Sequence, residues 1–342
     1  MSSLLIFDAD KKKAGEIIAM FDRGWMLTGN PNLTGGGSTT LTLTESQARN
    51  ELLQFGRSIL VTHSKLPNWA GVIDPPWNVT PPVQTAIYNA EYLLSMRSPD
   101  APIVLTGTVA NIVSKILEMC NQYRDLFVRL GDTSRADQTV RSVNIDNRNL
   151  WEQLKSFLTR SSCEMQVRSQ IDADGRLINY IDLAQQMGIT TNFLYYTGEN
   201  GNATLAGGTL DGPIINKVIG VNNASGQDSR LYTSSYRELE SIKLYGMRSE
   251  VAQFDGVQEQ STLDRYTQNY LSARSFPSFS FVLSVLDKGD AFMNARLGNI
   301  AMVHIPEARL SGGKVGWRGL ARILAMAYTE SQNLLSIKMI TI

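Results

Sequence analysis

His63 and His304 are the only histidines in the chain. Any nucleophile–imidazole–carboxylate triad must draw on one of these two. Each sits in or beside a stretch that reads as strand, and neither Gly-x-Ser-x-Gly nor His-Glu-x-x-His occurs. Both therefore read as structural histidines. Asp172-Ala173-Asp174-Gly175 opens like a calcium loop, but its glycine stands at the fourth position and no glutamate at the twelfth. A hairpin tip explains the same four residues. Asp8, Asp10 and Lys11-Lys12-Lys13 read as a charged loop, since nucleic-acid contact needs more cations with aromatics among them. Cys120 and Cys163 have no Cys or His at zinc-ligand spacing and read as reduced, partly buried thiols. Trp69, Trp77 and Trp317 lie near turns, where an indole stacks on a sugar or plugs a barrel end; the plug is the preferred reading. No pair of acids is singled out for glycoside cleavage. The expectation is no catalytic site, no cofactor and no metal.

The bulk composition agrees with a packing role. The chain has 342 residues, 43% of them hydrophobic, which is enough to bury a sizeable core. Lys+Arg and Asp+Glu both count 32, so no basic footprint for nucleic acid appears, and self-repulsion between copies is weak. The N-terminal residues lack the basic start and long apolar run of a signal peptide, and no apolar stretch reaches the roughly 20 residues that cross a bilayer. The reading is a protein made in a cytoplasm and not embedded in a membrane.

Periodicity divides the chain. Residues 4–9, 39–44, 58–64, 69–73 and 85–94 read as short strands, with one short helix over 45–55 and a loop tip at Gly35-Gly36-Gly37. Val109, Ile112, Val113, Ile116 and Leu117 fall on one helical face after Thr108, a suitable N-cap. A second helix begins at Leu150, with Asn149 as cap and Glu152 at the capping-box position. Strands over 164–171 and 176–181 flank the Asp-Gly tip. Residues 197–212 read as an exposed loop, and 214–221 returns to strand. A helix carries Leu263, Tyr266, Tyr270 and Leu271 and ends by Phe276-Pro277. Phe279, Phe281, Leu283 and Val285 alternate with Ser278, Ser280, Val282 and Ser284, the clearest strand of the chain. Strands over 300–305, 320–328 and 334–340 follow.

One pattern occurs twice. Gly56 leads the strand through Val61, and Trp69-Ala70-Gly71 leads the returning one; Gly298 leads the strand through Val303, and Trp317-Arg318-Gly319 leads its return. Two related β-barrels in one chain would produce this echo. The fold class expected is mainly β with an α+β insert: a first barrel over 1–98, the insert over 99–195 and 235–275, and a second barrel over 196–234 and 276–342. Thr40, Leu41, Thr42 and Leu43, and Leu335, Ile337 and Met339, are the strand residues expected to meet neighbouring subunits.

The order of elements resembles the tail hub proteins of bacteriophages and related injection machines, both the baseplate hub of contractile tails and the tail-associated hub of long tails. The residues carrying the likeness are the two Gly/Trp strand pairs, Tyr92-Leu93-Leu94-Ser95-Met96-Arg97, Thr106-Gly107-Thr108 before a helix, Gly212 to Val218, Leu297-Gly298-Asn299-Ile300 and Gly319 with Arg322-Ile323. Asn299 stands where the family more often has Asp. The resemblance implies a homotrimer whose six barrels ring a channel, with nucleic acid present only in transit. It implies a sixfold tail tube or distal tail protein on one face, and a threefold spike or tip protein on the other. A tape-measure protein is a further implied partner, and the virion tail tip or baseplate the implied location, after assembly in the host cytoplasm. A tail-borne cell-wall or polysaccharide hydrolase, and a receptor- or glycan-binding tip module, are the competing readings.

Overall fold

A computed structural model describes residues 2–29, 38–48, 50–78, 83–146, 148–211, 214–222, 233, 235–254, 257, 259–276, 278–309 and 315–342. Strand makes up 48% and helix 19%, so the chain is mainly β. The expected glycine tip at Gly35-Gly36-Gly37, and Pro277, lie outside the described residues.

The chain opens with β1 (Ser2–Phe7), β2 (Lys13–Ala19), β3 (Arg23–Met26), β4 (Ser38–Leu43), α1 (Glu45–Ala48), β5 (Ser58–Val61), β6 (Trp69–Asn78), β7 (Val83–Asn89) and α2 (Tyr92–Ser95). Six of these strands make an antiparallel sheet in the order β2-β1-β5-β6-β7-β4. Alternation sets its faces: Val83, Thr85, Ile87 and Asn89 of β7 are buried, while the residues between them are half-buried. Gln47, just past β4, donates to the Ile18 carbonyl of β2 at 2.9 Å, so the two edges approach and the sheet curls. The strand expected over 85–94 stops at Asn89. The chain then turns into α2, because Leu93 and Leu94 are drawn into the core of the following mixed domain.

That domain contains β8 (Ile103–Gly107), α3 (Val109–Asn121), β9 (Val128–Leu130), β10 (Arg141–Ile145), α4 (Leu150–Arg160), β11 (Glu164–Ile171) and β12 (Leu177–Ala184). All five apolar residues that define the α3 face are buried, and Thr108 caps the helix by accepting from the Asn111 N–H. Asn149 caps α4 through the Glu152 N–H at 2.8 Å. The Glu152 side chain meets Lys155 instead of reaching back, so only the forward half of the capping box forms. At the β11–β12 tip Asp172 accepts the N–H groups of Asp174 and Arg176, and Gly175 takes a φ of 76°.

The remainder runs β13 (Thr190–Tyr196), β14 (Ala203–Asp211), β15 (Lys217–Asn222), β16 (Tyr236–Arg237), α5 (Leu239–Tyr245), β17 (Ser249–Phe254), α6 (Gln260–Ser272), β18 (Ser278–Leu286), α7 (Ala291–Asn294), β19 (Ile300–Arg309), β20 (Val315–Thr329) and β21 (Leu334–Thr341). The second large sheet is ordered β13-β19-β20-β21-β18-β14. Its edge strands β13 and β14 follow one another in sequence, and the Asn202 side chain bonds both the Tyr196 N–H and the Leu194 carbonyl, each at 2.9 Å. This sheet is therefore curled like the first.

Four readings of the sequence change here. The loop expected over 197–212 holds β14, because its backbone finds a full partner in β18. The strand expected over 214–221 does not enter the second barrel; β15 joins β16 and β17 in a small sheet. The helix with Leu263 and Leu271 packs on that small sheet, where Leu271 clusters with Ile215, Val218 and Ala252, and not in the insert. β13, within the stretch assigned to the insert, pairs in parallel with β19 of the second sheet.

The two curled sheets share one core. Leu4, Ile6, Val61 and Trp69 of the first fall in the same buried cluster as Phe281, Val303, Ile323 and Ile337 of the second. β3 ties them by backbone hydrogen bonds: it follows β2 of the first sheet in the chain and pairs antiparallel with the far half of β20, Trp25 opposite Met326. Cys120 and Cys163 are both buried and unpaired, and burial pushes their thiols up to about 12 and about 11. Iodoacetamide is expected to leave both unmodified in the native protein and to alkylate both in denaturant, read as the intact mass.

Candidate functional site

His63 accepts the N–H groups of Lys65 and Leu66 on Nδ1, at 3.1 and 3.2 Å, and its ring lies beside Tyr328. Burial and then the neighbouring Arg23 lower its affinity for a proton. His304 lies on β19 with its ring beside Tyr196. Among the described residues no three of His, Cys, Asp and Glu gather as a metal site. The placement of these groups organises turns and packing, so the features that distinguish the molecule are the strand clasps and the sheet edges.

The two Gly/Trp patterns build the same clasp. Gly56 has a φ of 79° and Gly298 a φ of 80°, the left-handed region that favours glycine. The Gly56 N–H donates to the Ile73 carbonyl at 2.8 Å, and the Ile73 N–H returns to the Arg57 carbonyl. The Gly298 N–H donates to the Ile323 carbonyl at 2.8 Å, and the Ile323 N–H returns to the Asn299 carbonyl. In both return strands the tryptophan ring covers the glycine two residues later. A β-carbon would lie 2.4 Å from the Trp69 ring at Gly71 and 2.8 Å from the Trp317 ring at Gly319. Register separates the two: Val61 opposes Trp69, whereas Val303 opposes Gly319 and Ile305 opposes Trp317. The offset is two residues, which keeps every side chain on its own face.

The indoles differ in surroundings. Trp69 is buried, donates Nε1–H to the Gly24 carbonyl of β3 at 2.9 Å and packs on Phe21, so it fastens the first sheet to the strand that leaves it. Trp317 rests against Phe279 and Phe281 of β18. The side chain of Trp77 lies outside the described residues.

The two strands expected at subunit boundaries have different fates. β4, with Thr40, Leu41, Thr42 and Leu43, is a sheet edge, paired on one side with β7. Leu41 and Leu43 point into the core, and Thr42 is exposed. β21, with Leu335, Ile337 and Met339, is not an edge. It lies between β18 and β20, and those three side chains are fully buried. The pairing strands on both sides use up its backbone, so it is not free to join a neighbour; β13 and β14 are the edges of that sheet.

A buried ion pair, unforeseen from the sequence, locks the insert to the second sheet. Arg322 of β20 donates Nη1 to Glu164 Oε1 of β11 at 2.6 Å, Nη2 to Glu164 Oε2 and to the Met187 carbonyl, and Nε to the Gly298 carbonyl at 3.1 Å. Glu164 also accepts the Met187 N–H at 2.8 Å. The signal was present: an arginine inside the apolar run 320–328 requires a buried partner.

No family model and no curated protein matches this sequence. Solved structures do match across the whole chain. A prophage tail protein from Listeria monocytogenes superposes with a TM-score of 0.61 at 14% identity, covering 99% of this chain and 94% of its own. The tail protein of a Shewanella oneidensis prophage gives 0.59 at 10% identity, with 99% and 98% covered. A tail protein from Neisseria meningitidis gives 0.59 at 10% identity, with 100% and 96% covered. At such identities the likeness is one of architecture, and the fold of this chain is the fold of phage tail proteins.

Proposed function

We propose that the chain is a structural subunit of a phage or phage-like tail, acting at the tail tip or baseplate as a homotrimeric hub. The observation that carries this reading is the repeated clasp: two curled sheets in one chain, each with a strand led by a left-handed glycine bonded to an isoleucine of the return strand. Two quasi-equivalent half-barrels per subunit give six around a threefold axis. One face of such a ring matches a sixfold tube or distal tail protein, and the other a threefold spike or tip protein. The work is mechanical: a closed ring around a channel through which nucleic acid and a tape-measure protein pass. The edge strand β4, with Thr40 and Thr42, is the strand offered to the adjacent subunit, since an unpaired edge otherwise invites uncontrolled association. The half-barrels correspond broadly to 1–98 and to 190–211 with 276–342, β3 excepted.

The test is the mass of the purified protein by native mass spectrometry, followed by particle images. The expected species is three times 37.8 kDa and forms rings with six blades. A monomer at micromolar concentration, or a ring of six chains, overturns the reading.

A further inference from the structure

Lys11 is 3% exposed, yet among the described residues its amine has one acceptor, the Ser58 hydroxyl. Its position is fixed on both sides: the Lys11 N–H donates to the Asp8 carbonyl, and its carbonyl accepts from Leu177 of β12. A buried ammonium normally has a carboxylate partner and uses its three N–H groups. Among the described residues no ion pair joins Lys11 to an acid. The acids nearby are engaged elsewhere. Asp8 accepts the N–H groups of Asp10 and Lys12, Asp10 pairs with Arg124, and Asp125 pairs with Arg129.

Lys11 lines a cavity of about 480 Å³ between the first sheet and the 124–126 loop of the mixed domain. Arg57 also lines it and is bonded to the Leu52 carbonyl at 3.3 Å. Asp8, Gln54, Arg124 and Asp125 add polar groups to the wall; Val72, Leu93 and Leu126 form an apolar patch, and two large hydrophobic side chains, Phe55 and Met96, remain 54% and 40% exposed at this site. Two acids share this lining, Asp8 and Asp125, but among the described residues neither Lys11 nor Arg57 forms an ion pair, and both adjoin the apolar patch.

We propose that this cavity binds a carboxylate carried on an apolar stem, with Lys11 and Arg57 holding the carboxylate and Phe55, Leu93 and Met96 packing on the stem. Burial, then the Arg124 charge, already hold the Lys11 amine down to about 8, against the smaller opposing pull of Asp8. A bound carboxylate supplies the missing opposite charge and restores the ammonium form.

The experiment is acetylation of the full-length protein by limiting acetic anhydride at pH 8, with each lysine quantified by peptide mass. Millimolar hexanoate is expected to slow labelling of Lys11 roughly tenfold, the effect of returning its pKa by about one unit or more and covering the amine. Other lysines are expected to keep their rates. Hexanol and hexylammonium are expected to protect little. In Arg57→Gln, protection is expected to need several-fold more hexanoate, while the melting temperature stays that of the parent. A capped tripeptide with a central glutamate between apolar residues distinguishes the source. Protection at lower concentration than hexanoate assigns the carboxylate to a polypeptide partner, and the reverse order assigns it to a small molecule. Unchanged Lys11 labelling with both, or equal protection by hexanol, overturns the proposal.

Discussion

Arg322→Met is expected to cost about 3–5 kcal/mol of unfolding free energy, measured by equilibrium denaturation. The substitution preserves most of the side-chain volume but leaves the Glu164 carboxylate, 8% exposed, facing a thioether. It also removes the donors to the Met187 and Gly298 carbonyls. The double variant Arg322→Met with Glu164→Leu is expected to recover most of the loss, because two matched apolar groups replace a desolvated ion pair at little net cost. The coupling between the two sites, from the double-mutant cycle, is expected to exceed about 2 kcal/mol. Additive effects would show that the pair does not act as the lock between insert and second sheet.

Gly298→Ala is expected to destabilise by about 3 kcal/mol or more, whereas Gly56→Ala costs about 1 kcal/mol. Both positions have nearly the same φ, so the backbone strain is equal. Space differs. A β-carbon at Gly56 has nothing within 4 Å, whereas at Gly298 it would lie 2.4 Å from the Met187 carbonyl oxygen and 2.9 Å from the Gly188 nitrogen. These are backbone atoms and cannot rotate away. The pair of melting curves thus separates conformational cost from crowding within one repeated motif. Equal losses would mean that the 187–188 segment moves aside without resistance.

What could be read from the sequence was what neighbouring residues decide. α3 and α4 have their caps within three residues of their first turns, and β18 carries its apolar residues at alternate positions from Phe279 to Val285. The Asp172–Gly175 tip is also local. What escaped was decided by distant partners. β14 looks like a loop because Gly207 and Gly208 weaken its pattern, and only β18, some 70 residues later, makes it a strand. β21 looks like a terminal strand, and its central place depends on β18 and β20 lying on either side. The helix α6 has a readable apolar face, but no residue on that face states which sheet it covers. In the candidate site the repeated Gly/Trp residues were visible because they recur. The counterparts Ile73 and Ile323 were not, because a backbone carbonyl leaves no mark on the choice of side chain.

The pairing of β3 with β20 constrains how the polypeptide reaches its native state. Arg23 to Met26 find Ala325 to Tyr328 as partners about 300 residues later. A ribosome releases the early segment long before its partner exists. During that interval Trp25, and Trp69 with its bond to Gly24, lack the surface that covers them in the finished molecule. Loop closure over such a separation is entropically costly and slow, so this topology has a high contact order. The early half of the chain thus waits, partly apolar and exposed, for synthesis of the late half. A fragment ending near residue 98 is expected to be chaperone-bound or aggregated, and to become soluble when the segment containing β20 is supplied in trans.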